Sequence, residues 1–67
     1  MIEVIVNGKR TEIPAGLNVK EVIEALDYKE DGFALALNGT FVALLTYESI
    51  KILDNDSLEI LAPIQGG

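Results

Sequence analysis

The sequence predicts an α+β domain in which one short helix lies across one face of a mixed β-sheet of four to five strands. Three observations support this. Two Asn-Gly pairs, Asn7-Gly8 and Asn38-Gly39, each sit between strand-like runs, the strongest short-range hairpin signal because both residues tolerate positive φ. The stretch from Val19 to Leu26 repeats its apolar residues at helical spacing. The run "SLEILAP" alternates again and stops at Pro63.

The elements follow in chain order. In "MIEVIVNGKRTEIP", Ile2, Val4 and Val6 alternate with Glu3, Ile5 and Asn7, a period of two. Ile5 competes with Val4 for the inward parity. "RTEI" returns as the second strand, and Pro14 ends it or occupies a sheet edge. Asn18 followed by Glu21 is a capping-box spacing, with Leu17 and Val22 at the two hydrophobic-staple positions. Val19, Val22, Ile23 and Leu26 then form one buried stripe, while Lys20, Glu21, Glu24 and Asp27 take the solvated side. A helix of about nine residues is marginal alone, so it must rest on the sheet.

"FALALNGTFVALL" is the second hairpin. Phe33, Leu35 and Leu37 are expected to meet the helix, and the small Ala34 and Ala36 to face away. "TYESIKILDND" is irregular, with turn signals at its end. Leu58, Ile60 and Ala62 share one face of the last strand, Glu59 and Leu61 the other. The first and last strands carry apolar residues on both faces, which places them centrally, parallel and side by side, with the hairpin partners outside. This layout is the β-grasp arrangement. It makes residues 1–63 one domain and leaves 64–67 as a flexible tail ending in Gly66-Gly67.

Composition narrows the chemistry. The chain has 67 residues with no histidine and no cysteine. Thiol catalysis, disulfides and the commonest metal ligand are thereby excluded, and a free-standing enzyme is not expected. Eleven acidic residues against five basic ones give a net charge of −6. That balance disfavours nucleic acid and suits solubility or docking on a basic protein partner. The first residues lack the charged lead and long apolar core of a signal peptide, and no run reaches membrane-spanning length. The expectation is a cytoplasmic protein, without nucleic-acid or membrane partners, monomeric when free. Asp54, Asp56 and Glu59 match only part of a calcium loop and are better read as a solvated turn, so no metal site is expected. Ile5, Ala34, Ala36 and Leu61 fall out of phase with the core residues. They are expected on the helix-free face, as a flat apolar patch of the sort partners bind. Leu44 and Leu45 either cover the core edge or extend that patch.

"LNVKEVIEALD", "FALALNG" and "LDNDSLEILAP" with a terminal Gly-Gly resemble the ubiquitin-like sulfur carriers over the whole chain. The thiamine-biosynthesis type (ThiS-like) is nearest and the molybdopterin type (MoaD-like) next. Ala43, Leu44 and Tyr47 stand near where many thiamine-type carriers have a Pro-Arg or Pro-Lys pair and a tryptophan, and the pathway stays open. The resemblance implies that the reacting group is the Gly67 carboxylate. An E1-like adenylating enzyme (ThiF- or MoeB-like) adenylates it, a sulfur donor converts it to a thiocarboxylate, and a synthase such as thiazole synthase accepts the sulfur. The chain itself would need no cofactor. Gly66 and Gly67, lacking Cβ, let the backbone thread a narrow partner channel, with Pro63, Ile64 and Gln65 leading into it. The alternative is a protein modifier or interaction module without sulfur transfer.

Overall fold

Each Asn-Gly pair reverses the chain through a turn with both residues at positive φ: 51° and 82° at Asn7-Gly8, 51° and 86° at Asn38-Gly39. This mirror-image turn matches the right-handed twist of the strands it joins. The computed structural model describes residues 1–28 and 34–61. The first turn joins β1 (Ile2–Val6) to β2 (Lys9–Ile13), and the second joins β3 (Ala34–Leu37) to β4 (Thr40–Val42). Helix α1 (Val19–Ala25) lies between the hairpins in sequence, and β5 (Ser57–Leu61) comes last. Among the described residues the sheet order is β2-β1-β5-β3-β4. β1 and β5 are parallel neighbours, as their composition predicts, and the other pairs are antiparallel. Phe33, Ala62 and the tail fall outside the described residues.

The helix begins where its capping box sets it. The Asn18 side chain accepts from the Glu21 N–H at 2.8 Å, and the Glu21 carboxylate accepts from the Asn18 N–H at 2.9 Å. It is shorter than the predicted nine residues, with seven from Val19 to Ala25. Asp27 at φ 66° turns the backbone left-handed. The Asp27 and Tyr28 N–H groups then close on the carbonyls of Glu24 and Ile23, a Schellman-type end that satisfies otherwise orphaned acceptors.

Val4 takes the inward parity of β1, with Val6, and Ile5 faces the other side. The helix stripe Val19, Val22 and Ile23 is buried with Val4, Leu35, Leu58 and Ile60, while Leu26 and Leu37 are partly buried at the margin. Core residues also come from elements that periodicity does not mark. Ile52 is fully buried, and Tyr47 is buried just after a 3₁₀ turn at Leu44–Thr46. The irregular segment is held against the start of the helix. The Val19 N–H donates to the Ile50 carbonyl, and the Ile52 N–H to the Leu17 carbonyl, each at 2.9 Å. This short antiparallel crossing closes one end of the core.

Candidate functional site

β5 is the strand from which the C-terminal residues continue, and more side chains hold it than a sheet ladder requires. At its start, the Asn38 N–H donates to the Ser57 carbonyl at 2.8 Å, and Asn38 Oδ1 accepts from the Ser57 N–H at 2.9 Å. Asn38 Nδ2 also donates to Asp56 Oδ1 at 3.0 Å. Near its end, Asn7 Oδ1 accepts from the Ile60 N–H at 2.7 Å, and Asn7 Nδ2 donates to the Ile60 carbonyl at 3.2 Å. The two turn asparagines thus serve both their hairpins and β5. Asp54 and Asp56 are occupied by the backbone: their carboxylates accept from the N–H groups of Glu3 and Leu53. Among the described residues no His, Cys, Asp or Glu group could hold a metal ion, and the Asp54/Asp56 turn is structural.

The face away from the helix carries the predicted patch. Ala34 pairs with Leu61 across β3 and β5, and Ala36 lies between Glu59 and its β4 neighbour Phe41. Ala34 and Leu61 are exposed, Ala36 and Ile5 half-buried. Ile5 lies across β5, level with Ser57. The patch is therefore continuous from Leu61 through Ala34 and Ala36 to Phe41, with Glu59 beside it and Ile5 on its far side. Phe41, 68 % exposed, was not among the predicted residues. The two-residue Asn38-Gly39 turn could have found it, since that turn length pairs residue 36 with residue 41.

A model of the ThiS family matches residues 4–67, nearly the whole chain. The chain belongs to the ThiS family. The sulfur carrier protein ThiS of Escherichia coli (strain K12) is 29 % identical over 66 residues, spanning 98 % of this chain and all of that protein. Two solved structures of a thiamine biosynthesis protein from Geobacter metallireducens share its fold. The crystal structure superposes with a TM-score of 0.84 at 28 % identity, covering 98 % of this chain and 100 % of that one. The solution structure gives 0.81 at 28 % identity, covering 98 % and 88 %. The β-grasp reading and the resemblance to ubiquitin-like sulfur carriers therefore hold.

A ThiS-family chain is a carrier rather than a catalyst, which suits a sequence without histidine or cysteine. In this ThiS-family chain the predicted tail residues Pro63, Ile64, Gln65, Gly66 and Gly67 lie outside the described residues. Leu44 and Leu45, the latter 96 % exposed, cover no core. They border a separate cleft of about 300 Å³ with Lys20, Tyr47 and Glu48, and none of the patch residues lines it. Burial raises the Tyr47 phenol above its ordinary pKa. Among the described residues no helix is long and apolar enough to cross a membrane.

Proposed function

We propose that this chain carries sulfur for thiazole formation in thiamine biosynthesis, as a thiocarboxylate on Gly67. The observation that supports this reading is the ThiS-family match, which runs through residue 67 and so includes the terminal Gly-Gly. The name of the Escherichia coli relative gives the sulfur-carrier role, and that of the Geobacter relative gives thiamine biosynthesis.

A terminal carboxylate is ionised at neutral pH. One of its oxygens attacks the α-phosphate of ATP on an E1-like, ThiF-like enzyme, and pyrophosphate leaves. A sulfur nucleophile then displaces AMP from the acyl-adenylate, and the resulting thiocarboxylate passes its sulfur to a thiazole synthase. The carrier contributes its tail and a docking face, and the enzymes contribute nucleotide site and catalysis. The docking face is Ile5, Ala34, Ala36 and Leu61, with Phe41 added. An exposed apolar patch beside an acidic residue suits an enzyme surface that is apolar and basic. The reactions take place in the cytoplasm.

The test is ATP–pyrophosphate exchange with the cognate adenylating enzyme. Deleting Gly67 withdraws the carboxylate by about 3.3–3.6 Å of extended chain, more than catalytic positioning tolerates. That variant and one with a residue added after Gly67 are expected to fold and to give no exchange. With a sulfide source, the wild-type protein is expected to gain the mass difference between sulfur and oxygen. Wild-type exchange from either tail variant refutes the reading, and a larger conjugate would point to a protein modifier instead.

A further inference from the structure

The turn asparagine of the first hairpin makes a connection that the hairpin does not need. β1 and β5 stay paired only as far as Val6 and Leu58, where the Asn7 N–H donates to the Leu58 carbonyl at 2.8 Å. Residues two apart on a strand turn their backbone groups to the same side. Ile60 therefore presents its N–H and carbonyl to an edge that β1 has already left. Ile60 is 5 % exposed, and unpaired backbone groups there would be costly. The Asn7 side chain stands in for the missing strand, accepting from the Ile60 N–H at 2.7 Å and donating to its carbonyl at 3.2 Å. A hairpin turn at this position requires only a residue that tolerates φ near 51°, and glycine would do that as well.

We infer that Asn7 is a positioning residue for the reaction at the C-terminus. It pins Ile60, seven residues before Gly67, and so fixes the point from which the reactive tail departs. The inference rests on the sulfur-carrier reading above. The tail has a set number of residues, so its reach into a partner depends on where it starts. β3 holds the opposite edge of β5 through Ala34 and Leu61. Loss of the Asn7 bonds therefore frees one edge only, and the strand end pivots on β3. A misplacement of about 1 Å costs on the order of a hundredfold in catalysis. Leu61, the docking-face residue on this strand, stays paired with Ala34 on β3, so the effect falls on kcat rather than on KM.

Asn7→Gly keeps the turn and removes both side-chain bonds. The expected result is faster amide exchange at Ile60 in the free protein. In ATP–pyrophosphate exchange with the cognate adenylating enzyme, kcat is expected to fall at least about tenfold with KM unchanged. Asn7→Asp keeps an acceptor for the Ile60 N–H but no donor for its carbonyl, and is expected to recover part of kcat. It also decides the matter by itself should the glycine variant not fold: a kcat below wild type with KM unchanged supports the inference. Wild-type kcat in a folded Asn7→Gly protein overturns it, as does a raised KM with unchanged kcat. Failure of the carrier reading is separable, because the wild-type protein would then show no exchange, or the same exchange as the Gly67 deletion.

Discussion

Leu58→Ala tests whether the two hairpins close on one core through β5. Leu58 is 1 % exposed on the middle strand of the sheet, with Val6 beside it on β1 and Leu37 on β3. Ladders on both sides keep the neighbouring strands from closing over a cavity. The cost should therefore lie in the upper part of the range for burying an alanine in place of leucine, about 3–5 kcal/mol. A chain of this length has a total stability of about 3–10 kcal/mol, so the substitution removes about 30 % of it or more. Urea unfolding followed by circular dichroism measures this. The midpoint is expected to fall with the slope unchanged. Leu26→Ala provides the internal scale, since Leu26 is only partly buried at the C-cap of the helix; it is expected to cost about half as much. If Leu58→Ala costs less than Leu26→Ala, or under about 1 kcal/mol, β5 is not the centre of the core.

Other substitutions probe the caps, the patch and the buried phenol. Asn18→Ala removes one half of the capping box and the bond from Asn18 Nδ2 to the Glu48 carbonyl, and is expected to lower stability by about 1–2 kcal/mol in the same urea assay. Leu61→Glu, at a position 66 % exposed, is expected to change stability by less than about 0.5 kcal/mol. It should also weaken calorimetric affinity for the adenylating enzyme at least about tenfold by burying a charge at the interface. Unchanged affinity moves the docking face elsewhere. Burial raises the Tyr47 pKa above that of a phenol in the unfolded chain. Its stabilising contribution is thus full below the unfolded value of about 10 and is lost as pH climbs from there through the folded value. Thermal melts at alkaline pH are expected to fall for the wild type, and less steeply for Tyr47→Phe; parallel curves contradict this.

Much of this protein was legible in the chain because it depends on contacts within a few residues. Asn7-Gly8 and Asn38-Gly39 dictate their turns through φ alone. Asn18 and Glu21 satisfy each other's backbone across three residues. Alternation in β1, β3 and β5 separates Val4, Leu35, Leu58 and Ile60 from Ile5, Ala36 and Leu61, so the inner face and the candidate docking face emerge together. The run into a terminal Gly-Gly marked the family. Tertiary structure alone decided where long-range partners were needed. The burial of Tyr47 and Ile52 has no periodic signature, because a crossing with residues 17–19 creates it. Phe41 joins the patch only through its register with Ala36. The helix stops at Ala25 because Asp27 takes a left-handed conformation that its residue type permits but does not require. The second partners of Asn7 and Asn38 lie 53 and 19 residues away in sequence. No local pattern reaches that far, and only closing the sheet around β5 brings those amides to the backbone they hold.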